Sequence, residues 1–244
     1  MDKYEELKHI IKESKNIVVF TGAGISVPSG IPDFRSARGV YSEQFKEYSP
    51  EEIISHSFFM EQPNLFYEFY GSKMVFPNAK PNLAHLYFAK LPNVSAVVTQ
   101  NIDGLHQEAG SKIVYELHGS VLRNYCMKCH KFYDVKDIDV HKPSYCSCGG
   151  MIKPDVVLYE EPLDNKVVYP AIDAIAEADT MIVVGTSLVV YPAASYLQFF
   201  RGKHLILINK STTSYDSKAE LVFNEDVIEV VKKLEEKRVV RNFL

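Results

Sequence analysis

The chain has 244 residues, a length that fits one large α/β domain or one domain with a small insertion. Apolar residues make up 46% of it, enough for a hydrophobic core, and a formal charge of −4 is spread over interspersed acidic and basic residues. No basic cluster favours nucleic acid, and no segment reaches the roughly 20 apolar residues that span a bilayer. The N-terminus also lacks the apolar core of a secretory signal, so we expect a cytoplasmic protein without nucleic-acid or membrane partners.

Helical patterns alternate with short β-rich runs along the chain. An amphipathic helix is predicted over residues 2–13, and β-rich runs occupy residues 17–20, 94–99, 113–117, 181–184 and 205–208. Apolar residues at helical spacing recur between several of these runs and near the C-terminus, at Leu83, Leu86 and Tyr87, at Ile172, Ile175 and Ala176, and at Val227, Val230, Val231 and Leu234. This alternation predicts a parallel sheet with helices on both faces, in which ligands bind beyond the carboxyl ends of the strands.

Polar or glycine-bearing loops lie at or just past five strand ends: TGAGIS, TQNIDGLHQ, HGS, GTSLVVYP and INKS. One extended ligand site is the simplest interpretation. The first loop starts like a dinucleotide-binding turn, but Val27 stands where the fingerprint requires glycine three residues after Gly24. Pro28 and Pro32 then interrupt the helix that would follow.

Residues 36–76 are rich in Phe and Tyr without a βαβ pattern, and we interpret them as a helical insertion. Residues 123–151 contain every cysteine, as Cys126-x2-Cys129 and, after 16 residues, Cys146-x-Cys148. Four thiolates at near-ribbon spacing predict a closed structural zinc site whose metal contributes to folding. Two disulfides, or His130 or His141 in place of one cysteine, are the alternatives.

Several polar residues could act on a ligand, although each also has an ordinary structural interpretation. His118 follows a strand and precedes a glycine, which suits a general base near neutral pH, but a lone histidine is more often structural. Asn101 and Asp103 either form a turn or place convergent polar groups at a strand end. Arg35 either pairs on the surface or contacts a pyrophosphate or ribose.

Taken together, the stretches GAGIS with SGIPDFR, TQNID with LH, LHG, the four cysteines, PDVV and GTSLVVYPAA resemble the sirtuins, NAD-dependent protein lysine deacylases. They occur in the family's order from Thr21 to about Asn209. The resemblance implies a Rossmann-like NAD-binding domain of residues 1–35, 77–122 and 152–244. It also implies a small lobe made of the helical insertion at 36–76 and the zinc ribbon at 123–151.

The resemblance further assigns residues to the site. Catalysis is assigned to His118, Asn101 and Asp103. NAD binding is assigned to Gly22, Ala23, Gly24, Val27, Asp33, Phe34, Arg35, Gln100, Asn101, Ile102, Asp103, His118, Gly185, Thr186, Ser187, Asn209, Lys210, Asp226 and Val227. Binding of the acyl-lysine peptide, as an added strand, is assigned to Phe34, Val156, Val157, Leu158, Tyr159, Leu188, Val189 and Val190. The zinc ligands are Cys126, Cys129, Cys146 and Cys148.

In the implied reaction the acyl oxygen attacks the ribose carbon that nicotinamide leaves, and His118 then deprotonates a ribose hydroxyl. The products are nicotinamide, O-acyl-ADP-ribose and free lysine. Alternatives are an NAD-linked dehydrogenase, a zinc-ribbon nucleic-acid module and a protein ADP-ribosyltransferase. The chain departs from the family pattern at Glu160, where sirtuins usually carry glycine, and in the Cys146-x-Cys148 spacing.

Overall fold

The structure is a computed structural model that describes residues 2–34, 39–40 and 44–236. Its first half contains these helices and strands: α1 (Lys3–Glu13), β1 (Ile17–Thr21), α2 (Pro50–Ile53), α3 (His56–Glu61), α4 (Pro63–Lys73), α5 (Leu83–Lys90), β2 (Val94–Thr99), α6 (Leu105–Glu108) and β3 (Val114–Glu116). The second half contains β4 (Gly119–Cys126), β5 (Phe132–Asp134), β6 (Ile152–Val156), α7 (Asn165–Glu177), β7 (Thr180–Val184), β8 (His204–Ile208), β9 (Leu221–Phe223) and α8 (Val227–Glu235).

Among these elements, six strands form a parallel sheet in the order β3-β2-β1-β7-β8-β9. This is the strand order of the Rossmann fold, which confirms the predicted fold class. The five β-rich runs of the sequence all become strands of this sheet. The edge strand β9 was not predicted, because its three residues are too few to show a pattern.

Helices cover both faces of the sheet, as predicted. Residues of β1 alternate between two cores, with Ile17 and Val19 packing against α1, α5 and α8, and Val18 and Phe20 packing against α7. A 3₁₀ helix at Ala193–Phe199 completes the second face. Every residue of β1 is buried, and its residues 17–20 form a continuous apolar run rather than an alternating one.

A second, antiparallel sheet of order β5-β4-β6 contains Cys126 at the end of β4. The predicted helical insertion forms α2, α3 and α4, whose aromatic side chains pack edge to face, as Phe59 does on Phe66. This aromatic cluster rests on Val121, Val156 and Leu158. The small sheet is therefore attached at one end to the cysteines and at its side to the helical insertion.

No α-helix lies in residues 22–34, directly after β1, which confirms that the glycine loop does not continue as in a dinucleotide fingerprint. Two short 3₁₀ turns, Ala23–Ile25 and Val27–Ser29, take its place, and the second ends at Gly30 in the left-handed region with φ 87°. Pro28 fits the first turn of a helix but prevents a long one. In a separate finding, no helix in the described ranges is long and apolar enough to cross a membrane.

Candidate active site

A cavity of about 620 Å³ opens beyond the carboxyl ends of β1 and β7. The connections from β1 and from β7 run in opposite directions across the sheet, so this is the topological switch point where such folds bind ligands. The volume lies within the range of small-molecule and cofactor sites. The large cavity therefore lies where the polar strand-end loops predicted a site.

Most of the predicted site residues line this cavity. Those from the expected cofactor set are Gly22, Ala23, Gly24, Val27, Asp33, Phe34, Gln100, Asn101, Ile102, His118, Gly185, Thr186, Ser187, Asn209, Lys210, Asp226 and Val227. Those from the expected peptide set are Phe34, Val156, Val157, Leu158, Tyr159 and Val190. Segments distant in sequence thus meet around one opening.

Of the residues predicted for NAD or peptide binding, Arg35 lies outside the described residues. Three of the described ones do not line the large cavity. Leu188 is buried in the core, and Val189 is exposed beside it, so of that run only Val190 reaches the opening. Asp103 instead lines a smaller adjoining cavity of about 30 Å³.

Two strand-end loops touch backbone to backbone at the cavity floor. Gly24 N donates to the Gly185 carbonyl at 2.8 Å, and Gly185 has φ 62°. A Cβ on Gly185 would lie 2.4 Å from Ile25 N and 2.6 Å from the Gly24 carbonyl carbon. Glycine is required here by close approach as well as by backbone conformation.

We therefore expect Gly185→Ala to displace the glycine loop. Left-handed strain costs about 1–2 kcal/mol, and the clash should add to this and weaken NAD binding by about tenfold, or ~1.4 kcal/mol. Gly110→Ala is the matched control, because Gly110 has φ 96° and open space around its Cβ. Calorimetric titration with NAD and urea unfolding measure the two effects. Equal NAD affinity in both variants would contradict the close-approach argument.

His118 lies between β3 and β4 at the wall of the cavity. Its Nδ1 is 2.9 Å from the Gln100 carbonyl oxygen, and because a carbonyl only accepts, Nδ1 carries the proton. Burial lowers the pKa of His118, and the bond to Gln100 partly offsets this. The imidazole is therefore neutral near pH 7, with Nε2 able to accept a proton.

Asn101 and Asp103 are linked through Ser26 in the glycine loop. Asn101 Nδ2 donates to Ser26 Oγ at 3.1 Å and to the Gly22 carbonyl at 3.2 Å. Ser26 Oγ donates to Asp103 Oδ2 at 2.7 Å, while Asp103 Oδ1 accepts from Leu105 N at 2.9 Å. Burial raises the pKa of Asp103, and these two bonds oppose it. Asp103 therefore makes the hydrogen bond of a turn, to Leu105 N, and also lines the smaller cavity.

The cavity also contains residues that the sequence analysis did not single out, such as Ile54 and Met74 from the helical insertion and Tyr191 after Val190. Tyr191 belongs to the stretch GTSLVVYPAA, so its neighbours in that motif could have pointed to it. Ile54 and Met74 had no such local signal, because their position depends on how α2 and α4 fold back over the opening.

The departure at Glu160 has a structural explanation. Glu160 adopts φ 74°, the left-handed conformation that glycine favours. Its carboxylate accepts from Ser57 N at 2.9 Å and from Ser57 Oγ at 2.7 Å at the start of α3. Next to it, Tyr159 N donates to the Ile54 carbonyl at 3.0 Å. The loop therefore keeps a glycine-like path, and the Glu160 side chain attaches it to the helical insertion.

The four cysteine sulfurs all lie within 4.8 Å of one another. The Sγ atoms of Cys126 and Cys148 are 3.4 Å apart and those of Cys129 and Cys146 are 3.6 Å apart, close to the ~3.8 Å edge of a tetrahedron with Zn–S bonds of about 2.3 Å. These separations exceed the ~2.05 Å of a disulfide bond. The geometry and the soft thiolate donors fit a structural zinc ion.

Neither histidine proposed as an alternative ligand joins this group in the described part of the chain. His141 Nδ1 instead lies beside Gly71 of α4, where an added Cβ would be 2.5 Å away. The uneven spacing of the second pair is accommodated by Gly149, which has φ 80°, and by Gly150, whose Cβ would lie 2.6 Å from Cys126 Sγ. The four clustered cysteines therefore fit the predicted structural zinc site, and the assignment of each cysteine as a ligand stays a prediction.

Comparison with known proteins agrees with this fold and site. The Sir2 family model matches residues 22–192. The chain is 58% identical to an NAD-dependent protein deacetylase of Clostridium perfringens, with 96% of this chain and 98% of that protein covered. It is 47% identical to an NAD-dependent protein deacetylase of Staphylococcus aureus, with 94% and 97% covered.

Solved structures give the same result. The chain superimposes on a complex of Sir2, a p53 peptide and NAD⁺ with a TM-score of 0.83 at 41% identity, covering 96% of this chain and 97% of that one. A Sir2 complex with a deacetylated p53 peptide and 3′-O-acetyl ADP-ribose matches with a TM-score of 0.85, also at 41% identity, covering 94% and 96%. Fold and site define a Rossmann-type protein with an attached zinc module. This chain belongs to the Sir2 family, the sirtuins.

Proposed function

We infer that this chain is an NAD-dependent protein lysine deacetylase that releases nicotinamide, O-acetyl-ADP-ribose and free lysine. The observation that supports this most strongly is the arrangement at the cavity wall. His118, with Nδ1 held by the Gln100 carbonyl, adjoins the pocket formed by Asn101, Ile102 and Asp103. Relatives at 47–58% identity over nearly the whole chain are named for the same activity.

The small cavity is the proposed nicotinamide pocket. Asn101 and Ile102 line both cavities, so a ligand can extend from the large cavity into the small one at this point. The carboxylate of Asp103 and the amide of Asn101 are polar groups suited to a carboxamide, and the apolar residues Ile31 and Pro32 also line this cavity. The chain's contribution to bond cleavage is positioning of the departing ring.

His118 is the proposed general base for the later step. Its Nε2 accepts a proton from a ribose hydroxyl, which becomes the nucleophile. The hydrogen bond from Nδ1 to Gln100 keeps the ring in the required tautomer throughout. The glycine loop, Thr186, Ser187 and Asn209 are proposed to hold the rest of NAD, and the four-thiolate zinc serves the fold rather than the chemistry.

The acyl-lysine peptide is proposed to enter between β6 and the segment at Val190. Val157 N donates to the His118 carbonyl at 3.0 Å, so the segment that would pair with the peptide is bonded directly to the proposed base. Main-chain pairing gives affinity that tolerates varied residues around the lysine. We also propose a cytoplasmic location, because the cytosol keeps thiols reduced and the four free cysteines could therefore bind a metal there.

The test is mass spectrometry of acyl-lysine peptides incubated with and without NAD. We expect loss of the acyl group only with NAD, together with inhibition by added nicotinamide and exchange of labelled nicotinamide into NAD. The physical reason is that the pocket rebinds the leaving group and reverses the first step. Inhibition that only competes with NAD, without exchange, would count against a reversible covalent intermediate. ADP-ribose attached to the peptide would instead identify a transferase.

A further inference from the structure

Two buried histidines lie beneath the proposed nicotinamide pocket and have no part in the chemistry described so far. His85 on α5 is fully buried and His106 on α6 is 1% exposed, and neither lines either cavity. Their rings meet edge to face, with centroids 4.9 Å apart. Burial lowers the pKa of His85 to about 4 and that of His106 to about 3, so both are neutral at pH 7.

His106 is connected to Asn101 through two threonine hydroxyls. Thr21 Oγ1 donates to Thr99 Oγ1 at 2.8 Å, so its own proton is used and it must accept from His106 Nε2 at 3.0 Å. Thr99 Oγ1 also accepts from the backbone N of Asn101 at 3.0 Å. The start of the pocket loop is thus held by a chain of hydroxyls that ends on the histidine.

His85 is connected to Asp103 in a parallel way. The backbone N of Asn82 donates to His85 Nδ1 at 3.3 Å, which leaves the ring proton on Nε2, 3.5 Å from Ser26 Oγ. The Ser26 hydroxyl also accepts a hydrogen bond from Asn101 Nδ2. Its own proton is therefore donated to Asp103. The ring therefore directs the Ser26 proton toward the carboxylate.

Ordinary core histidines would satisfy their own polar atoms, but His106 Nδ1 is buried without a hydrogen-bond partner among the described residues. An unsatisfied buried nitrogen costs about 1–3 kcal/mol, and an apolar residue of similar size would avoid that cost. This cost points to a function for the other ring nitrogen, Nε2, which bonds to the hydroxyl of Thr21.

We propose that His85 and His106 are positioning residues for the nicotinamide pocket, His85 through Ser26 to Asp103 and His106 through Thr21 and Thr99 to Asn101. The proposal rests on the proposed function of that pocket. Both histidines act as neutral donors at Nε2, and neither touches substrate. Their effect is to hold the two pocket residues in one hydrogen-bonded arrangement before nicotinamide binds.

Glutamine and asparagine separate positioning from simple packing. The amide nitrogen of glutamine is as many bonds from the backbone as histidine Nε2, whereas that of asparagine corresponds to Nδ1. His85→Gln and His106→Gln therefore can still donate to the hydroxyl, and His85→Asn and His106→Asn cannot. Each variant is assayed for nicotinamide exchange, for the nicotinamide inhibition constant and for its melting temperature, on the whole zinc-loaded protein.

We expect the rate of nicotinamide exchange to fall about 10–100-fold in each asparagine variant. This is the scale found when outer partners that orient metal ligands are mutated. The nicotinamide inhibition constant should rise in parallel, and the glutamine variants should stay within about threefold of the unsubstituted protein on the same scale. Equal losses in glutamine and asparagine variants, following melting temperature, would show a packing role and overturn the proposal.

Should the histidine variants fail to fold, Ser26→Ala and Thr99→Val interrupt the two hydroxyl chains without changing the rings. Normal exchange in both folded variants would overturn the proposal. Asp103→Asn is measured alongside them. If exchange survives in Asp103→Asn, the proposed role of the pocket is overturned, and the inference with it. If exchange is lost in Asp103→Asn but stays normal in His85→Asn and His106→Asn, only the inference is overturned.

Discussion

The deacetylation rate of the His118→Ala variant is expected to fall by a factor of ~10²–10⁴, the usual contribution of a positioned general base. Nicotinamide exchange should fall much less, because cleavage of the glycosidic bond needs positioning but no base acting on the ribose hydroxyl. The neutral ring, whose pKa is lowered by burial, supplies this base through Nε2. Both rates are measured side by side with saturating acetylated peptide.

Asn101→Ala is the comparison variant, since it alters the pocket that both reactions share. We expect it to reduce exchange and deacetylation together. If His118→Ala reduced both activities in the same proportion, His118 would be needed for bond cleavage or NAD binding, and the assignment as base would fail. Unchanged activity in His118→Ala would make it a structural histidine.

Loss of the zinc site is expected to lower both stability and activity. Elemental analysis should find one zinc per chain, and Cys148→Ser should lose it, because serine is a poor ligand for a thiolate-selective site. Structural zinc supplies ~10–16 kcal/mol of binding free energy in small domains, so removing a ligand should cost several kcal/mol. Urea unfolding and metal content measure the change.

Activity should follow, because the small sheet also carries the active site. β4 begins one residue after His118, and β6 runs into Val157, which bonds to the His118 carbonyl. His130→Asn is the matched control, since asparagine tolerates the left-handed conformation that His130 adopts at φ 59°. Zinc loss in His130→Asn, or full zinc content in Cys148→Ser, would contradict the four-cysteine assignment.

Local patterns in the sequence were sufficient to predict the main sheet, the helical insertion and the cluster of four cysteines. Apolar runs such as residues 17–20 indicate buried strands, because apolar side chains favour burial. The loops at strand ends then converge on one edge, because parallel strands all point the same way. The spacing of the cysteines within each pair is itself a local pattern, because paired thiols at near-ribbon spacing are typical of structural zinc sites. The division into domains and the roles of individual site residues stay predictions.

Contacts between distant segments could not be read from local patterns. Ser26 with Asp103, His85 with Ser26, and Glu160 with Ser57 are separated by 77, 59 and 103 residues. Nothing near Leu188 indicates that it turns into the core while Val190 faces the cavity. Periodicity reports how a residue sits relative to its own strand or helix. Which hydroxyl meets which carboxylate depends on how those elements pack, and only the folded chain brings them within hydrogen-bonding distance.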